Sequence, residues 1–347
     1  MSRDATTAPG PGHGPVRASF LDLAPREEGF REAVLRGLSA KPRTLPATFF
    51  YDAEGSRLFD LITAQPEYYP TRTEIGILAE SGAEMADLLG PGCQVIELGS
   101  GSSVKVRLLL DRLEDPAGYV GIDISRAHLR AACDRLAADY PELDVLALCA
   151  DCLHPEFLAG IAVPPPASRL PGRRVVFFPG STIGNLDPVE ALAFLSLWGR
   201  WLRRAGPRAA DERPGGLLVG VDLRKDPARL HAAYNDAAGV TAAFNLNLLA
   251  RINRELGGSF DPDAFAHRAF YDPERGRVEM HLVSRRDQIV RAAGRSFAFQ
   301  AGETIHTENS YKYTLPGVAA LAARAGLRTE RTWTDPDGLF ALFWLVA

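Results

Sequence analysis

The sequence predicts an α/β fold: a Rossmann-like, mostly parallel sheet with a second, smaller α+β part attached. Three observations carry that expectation. Between Cys93 and Val221 short apolar runs alternate with helical patterns, the first run ends in a glycine-rich turn, and after Asp222 the rhythm changes to helices followed by alternating strands. Strand and helix alternating at this spacing build a parallel sheet with helices on both faces. Ligands of such sheets bind at the carboxyl ends of the strands.

Taken in order, residues 20–73 read as helical and loop-like, because Phe30-Arg31-Glu32-Ala33-Val34-Leu35 and Ser56-Arg57-Leu58-Phe59-Asp60-Leu61-Ile62 space their apolar residues by three and four. Two prolines make a turn of Gln65 to Arg72, with Tyr68 and Tyr69 between them, and a helix follows over 74–89. Strands are expected over 93–98, 119–124, 144–148, 174–178 and 216–221, and helices over 104–113, 127–138 and 188–202. Helices at 227–237 and 241–256 come next, then strands such as 277–283 and a loop through 303–313. A helix over 317–325 and a final apolar strand over 339–346 return to the α/β style. Pro164-Pro165-Pro166 and Arg208 to Gly215 read as surface loops.

Composition bounds the function. A chain of 347 residues accommodates two interlocked domains, and 46% hydrophobic with 24% charged residues is the balance of a globular protein. A net charge of -4 argues against a nucleic-acid partner, which calls for a basic face. The densest basic cluster, Arg200 to Arg204 near Arg208, ends an apolar helix, where cations suit the dipole. Cys93, Cys133, Cys149 and Cys152 are too few for a disulfide framework, which points to the reducing cytoplasm. No run of about 18 apolar residues suggests a membrane span. Met1 to Val16 is rich in Ala, Pro and Gly without an apolar core, so residues 1–19 read as a disordered tail.

The run Val95-Ile96-Glu97-Leu98-Gly99-Ser100-Gly101-Ser102-Ser103 places a strand, an acid and two spaced glycines just before a helix. Gly99 and Gly101 let the backbone approach a nucleotide-type ligand. A dinucleotide fold wants a third glycine where Val104 stands, which disfavours NAD. Glu97 would repel a pyrophosphate but suits the cationic methionine end of S-adenosylmethionine, directly or through water. Asp123 ends the second strand where ribose hydroxyls need an acceptor, Ser125 being available to cap the next helix. Asp151 ends the third strand and can accept from the adenine amino group. The Cys149-Ala150-Asp151-Cys152 spacing has no second pair to complete a zinc site, so no metal is expected.

Four longer segments are more specific. Phe50-Tyr51-Asp52, Pro66-Glu67-Tyr68-Tyr69-Pro70-Thr71-Arg72-Thr73-Glu74, Phe178-Pro179-Gly180-Ser181-Thr182-Ile183-Gly184-Asn185-Leu186, and Tyr234 to Asn245 resemble the histidine-specific methyltransferases of ergothioneine biosynthesis. The likeness runs from about Leu45 to the C-terminus. It implies a two-domain enzyme that uses S-adenosylmethionine to methylate the α-amine of L-histidine three times, giving hercynine. Residues 73–222 plus 312–347 would form the methyltransferase domain, and 20–72 plus 223–311 the substrate domain. The family's cofactor positions fall on Tyr51, Gly99, Lys105, Asp123, Asp151 and Cys152; the family can carry Phe at the last, which leaves a backbone contact there. The amino-acid pocket falls on Tyr68, Gly180, Asn185, Tyr234, Met280, Glu308 and Ser310.

Those residue types suit the chemistry. An imidazole has two ring nitrogens to read, and Glu308 and Ser310 share one face if their segment is extended. Asn185, Tyr68 and Tyr234 can donate to a carboxylate, and Met280 can flank a ring. Tyr51 is the candidate proton acceptor, because its motif lies near the cofactor. Other readings are methylation of a different amino acid or aromatic amine, a silent S-adenosylmethionine-binding protein, and an NAD-dependent oxidoreductase. In bland terms the tyrosines could simply pack, Asn185 could cap a helix, and Glu308 could be a solvated loop acid.

Overall fold

Strands in the first half of the chain carry few polar residues because both of their faces are covered. The structure, a computed structural model, describes residues 18–23, 28–101, 103–153, 163, 166, 170–204 and 214–347. Of the tail expected over residues 1–19, residues 1–17 lie outside these, as do Ser102, Pro164, Pro165 and residues 208–213, whereas Ser19 is ordered and opens an edge strand. β3 (Cys93–Leu98), β4 (Gly118–Asp123), β5 (Val145–Cys149), β6 (Arg173–Phe178) and β7 (Gly216–Asp222) form the parallel centre of an eight-stranded sheet. β14 (Phe340–Val346) runs antiparallel between β7 and β13 (Arg328–Thr334), and β1 (Ser19–Asp22) closes the other edge in parallel with β5. The order is β1-β5-β4-β3-β6-β7-β14-β13.

Successive side chains point to opposite faces, and each face has its own core. Val95, Tyr119, Phe177 and Trp344 pack under α3 (Tyr69–Leu89), α4 (Val104–Leu110) and α5 (Arg126–Asp139). Ile96, Val120, Val176 and Phe343 pack under α6 (Pro188–Arg204) and α9 (Leu315–Arg324). Full burial of each large apolar side chain is worth about 1.5–3 kcal/mol. Strand order reverses between β3 and β6, which opens a crevice beyond their carboxyl ends.

A second sheet, β2 (Arg43–Thr44), β12 (Thr304–Tyr311), β9 (Arg277–Ser284) and β8 (Phe265–Asp272), has the order β2-β12-β9-β8. Leu38 of α1 (Glu28–Ser39), Leu58 and Ile62 of α2 (Ala53–Thr63), and Phe244, Leu248 and Ile252 of α8 (Val240–Leu256) share one core with Met280, Leu282 and Ile305 of that sheet. α7 (Pro227–Tyr234) leads from β7 towards it, and a hairpin of β10 (Gln288–Ala292) and β11 (Arg295–Phe299) stands alongside. None of the described helices is long and apolar enough to cross a membrane.

Four expectations are corrected. Phe20 to Asp22 belong to an edge strand rather than a helical or loop stretch, a strand of four residues being too short to show a period. The prolines around Tyr68 and Tyr69 do not hold a turn through Arg72: α3 already starts at Tyr69, with Pro70 in its first turn, where no N–H is needed. Residues 304–311 form a strand, not a loop; the polar run Thr307 to Ser310 disguised it. β13 was not expected, being a polar edge strand.

Candidate active site

The glycine-rich turn leaves β3 at the carboxyl edge of the sheet. Gly99 and Gly101 have φ of +67° and +45°, the left-handed region glycine tolerates, and a Cβ at Gly99 would meet nothing within 4 Å. The backbone is therefore bare towards the crevice. The Gly99 amide donates to the carbonyl of Ile122 (2.8 Å), tying the turn to β4. At the end of β4, Asp123 accepts from the amides of Gly101 (3.3 Å) and Ser125 (2.8 Å). Ser125 holds the N-cap position of α5 without a side-chain cap bond, and Asp123 binds the Ser125 amide rather than the helix's first turn. Burial raises the Asp123 carboxyl above its usual range, the amides pulling the other way.

Glu97 is buried, and Tyr119 donates to its Oε2 (2.6 Å). Burial pushes this carboxyl up to about 8. A neighbouring cation would bring it back down, so its negative charge depends on what lies beside it. Asp151 accepts from the Leu153 amide (3.0 Å). The Cys149 and Cys152 sulfurs serve different neighbours: Cys149 faces the Ile124 carbonyl (3.7 Å), and Cys152, its thiol pushed up by burial, lies against the Gly99 amide. Among the described residues another trio, Glu279, His281 and His306, brings its ligand atoms within 4.8 Å. Glu279 is committed to Arg277 (2.6 Å) and His281 (2.9 Å), and His306 to Asn309 (2.9 Å).

Lys105, expected at the cofactor, pairs with Glu74 (2.6 Å), whose side chain is fully buried. Glu74 also accepts from the Gly180 amide (2.9 Å), so one carboxylate joins α3, α4 and the loop after β6. Gly220 of β7 makes room for it, since a Cβ there would come within 2.3 Å of Glu74 Oε1. Glu74 has no role legible along the chain, because its partners lie far from it in sequence.

Beside this crevice a cavity forms between the two sheets. All seven expected amino-acid positions line it: Tyr68, Gly180, Asn185, Tyr234, Met280, Glu308 and Ser310. Tyr51, Phe59, Phe244, Asp222 and Lys312 complete the wall. Tyr51, Phe59, Phe244 and Tyr68 form a connected aromatic side, with Tyr51 5.7 Å from Phe59, Phe59 6.0 Å from Phe244 and 6.3 Å from Tyr68. Tyr51 is within electrostatic reach of both Glu308 and Asp123, and so stands between the two sites. Burial pushes its hydroxyl well up, as it does that of Tyr68, so both phenols stay protonated. As a phenol, Tyr51 can donate one hydrogen bond and accept another at this place.

Glu308 and Ser310 are two residues apart on β12 and both reach the cavity. Burial pushes the Glu308 carboxyl up to about 7, with Lys312 opposing. Asn185 closes a short 3-10 turn (Thr182–Asn185) and lines the cavity; α6 starts only at Pro188, beyond the reach of a cap from Asn185. Tyr234 donates to Ser310 (2.7 Å), so its proton is already engaged and unavailable for a substrate carboxylate. Asp222 and Lys312 were missed by the sequence reading; Asp222 closes β7 as Asp123 closes β4, which is the signal that was there to find.

A parallel sheet with a bare glycine turn, acids at the ends of successive strands and an adjoining cavity lined by polar and aromatic side chains define a Rossmann-like, S-adenosylmethionine-dependent methyltransferase. The chain belongs to the histidine-specific, S-adenosylmethionine-dependent methyltransferase family, whose model matches residues 30–347. It is 44% identical to the histidine N-alpha-methyltransferase of Mycolicibacterium smegmatis, over 94% of this chain and 97% of that protein. It is 42% identical to the protein of the same name from Mycobacterium tuberculosis, over 90% and 93%. Ergothioneine biosynthesis protein 1 of Neurospora crassa is 32% identical over 84% of this chain, which spans 32% of that protein.

Proposed function

We propose that this chain methylates the α-amino group of L-histidine to the trimethylated betaine hercynine, a step of ergothioneine biosynthesis. The observation that carries the reading is the convergence of seven separated positions on one cavity, with Glu308 and Ser310 side by side on β12. Similarity to histidine N-alpha-methyltransferases over nearly the whole chain supports it. The sites divide between the sheets. Residues 73–222 plus 312–347 supply the methyltransferase part, joined by β1 and the first turn of α3, and 28–68 plus 223–311 supply most of the substrate part.

The residues present fit S-adenosylmethionine: the open face at Gly99, the turn at Gly101, and half-buried Asp123 suit a nucleoside with a cationic tail. Glu97, Gly99, Gly101, Lys105, Asp123, Asp151, Cys152 and Tyr51 would hold it, Lys105 through its pair with Glu74. When bound, it supplies an electrophilic methyl group for in-line displacement. The protein's task is then to present a neutral amine in line and hold it there. Asn185 and Tyr68 donate to the substrate carboxylate, Glu308 accepts from a ring N–H, and Ser310 meets the other ring nitrogen. Met280 flanks the ring. Each released proton passes to water, with Tyr51 orienting the amine. The aromatic side of the cavity favours the growing positive charge on nitrogen. The substrate is a free small molecule and not a nucleic acid, and the site of action is the cytoplasm.

Mass spectrometry of histidine incubated with the protein and S-adenosylmethionine tests the reading. Mono-, di- and trimethylated histidine should appear in succession. An unmodified histidine pool alongside methylation of another amine would overturn it.

A further inference from the structure

Directly after β12 the chain buries a lysine. The Lys312 side chain is 1% exposed, and its Nζ contacts three oxygens: Asp222 Oδ2 (2.8 Å), Tyr234 Oη (2.9 Å) and Ser310 Oγ (2.8 Å). An ammonium has three donors and no acceptor, so these partners saturate it. Burial alone would strip its proton, but Asp222, itself 1% exposed, lies against it and keeps the charge. Asp222 is held in turn by Tyr69 (2.8 Å) and by Lys225.

The consequence falls on Ser310. Its oxygen receives one bond from Lys312 and a second from Tyr234 (2.7 Å), the more acidic phenol donating to the alcohol. Both lone pairs are then occupied, and the only capacity Ser310 has left is its own proton. On the same strand, Glu308 has no hydrogen-bond partner among the described residues and offers only acceptors when ionised.

We propose that Lys312 is the specificity-determining positioning residue of the ring site. It makes Ser310 a donor only, so that the pocket accepts a ring carrying one N–H, for Glu308, and one bare nitrogen, for Ser310. This rests on the reading of histidine as substrate and deepens it: the neutral imidazole answers both groups, whereas a phenyl or indole ring leaves the Ser310 proton unanswered. An uncharged side chain at 312 would free a Ser310 lone pair and let the hydroxyl turn.

The test compares Lys312→Met, Ser310→Ala and the double variant in the full chain, with histidine turnover by the unaltered protein as control. Each single change should raise the histidine KM by about tenfold or more. The S-adenosylmethionine Kd should stay within about twofold and kcat should move far less than KM. Because Lys312 acts through Ser310, the double variant should be no more than about threefold worse than the poorer single. Penalties that multiply, or a parallel loss of cofactor affinity, overturn the proposal. Should Lys312→Met fail to fold, ring analogues read the same point on the unaltered and Ser310→Ala proteins. Of 4- and 5-thiazolylalanine, which each place one bare nitrogen at a histidine ring-nitrogen position and have no ring N–H, the tighter binder should lose at least about fivefold in affinity on Ser310→Ala. Pyrrolylalanine, which has only an N–H, should bind Ser310→Ala no more weakly than the unaltered protein. The reverse pattern overturns the proposal even where histidine is methylated. Absence of histidine methylation by the unaltered protein instead overturns the substrate reading beneath it.

Discussion

Changing Glu308 should move two properties in opposite directions. Its carboxyl is raised from 4.5 to about 7 by burial, so the folded chain favours the protonated form and resists the charged one. A raised acid contributes no penalty below the unfolded pKa; the penalty grows as pH rises through the folded value and stays constant above it. A shift of this size is worth about 3 kcal/mol at most. Glu308→Gln keeps the shape without the charge, and should therefore stabilise the protein at pH 8 by up to that amount. With an unfolding entropy of about 2.1 cal/mol/K per residue, a chain of 347 residues should gain roughly 4 °C in melting temperature. Most of the gain should vanish at pH 5. Histidine affinity should go the other way: Glu308→Ala removes a hydrogen bond to a charged group, worth about 1.5–3 kcal/mol, or roughly tenfold to 150-fold in Kd. Thermal melts at the two pH values and calorimetry with histidine measure both halves. An equal melting gain at pH 5 and pH 8, or an unchanged histidine Kd in Glu308→Ala, would refute the reasoning.

Asp123→Ala should weaken S-adenosylmethionine binding by about tenfold or more, with cofactor binding to the unaltered protein insensitive to chelator; calorimetry with and without chelator reads both. Glu74→Gln removes the charge that pairs Lys105 while keeping an acceptor for the Gly180 amide, and should cost about 1.5–3 kcal/mol of stability, seen as a lower denaturant midpoint. Deleting residues 1–22 removes β1 and the Arg126 contact of Asp22 (2.6 Å), so that truncation should lower the melting temperature, whereas a chain starting at residue 18 keeps the strand. An unchanged melting temperature in the shorter chain would show that the edge strand adds nothing.

The cofactor turn was legible because its determinants are local: two glycines, an acid at the end of each of two strands, and a helix start within a few residues. The cavity was legible only through resemblance, since its walls come from segments between Tyr51 and Lys312 that no periodicity relates. What stayed hidden has physical causes. Residues 304–311 look like a loop because a strand that lines a polar cavity must carry polar side chains on its inner face. The β10–β11 hairpin turns on Ala293-Gly294, both at positive φ, and so lacks the Asn-Gly signal of such turns. Glu74, Asp222 and Lys312 find their partners across the two sheets, and a single buried charge gives no pattern along the chain. The Tyr234 role shifted for a similar reason: its hydroxyl faces Ser310 only once α7 packs on the small sheet at β8.

The side chains proposed to read the ring, Glu308 and Ser310, sit on one strand of the small sheet, while the glycine turn and Asp123 belong to the large one. That separation makes the enzyme a natural chassis for retargeting. Positions 308 and 310, one pleat apart, can be randomised together without touching a residue of the turn, and the grip expected of Asn185 and Tyr68 on the amino-acid backbone remains a constant handle. A small library at those two sites, with 312 varied to match, would sample new side chains against an unaltered methyl-donor cradle. On the proposed reading, selectivity in this architecture is written on the inner face of a single strand.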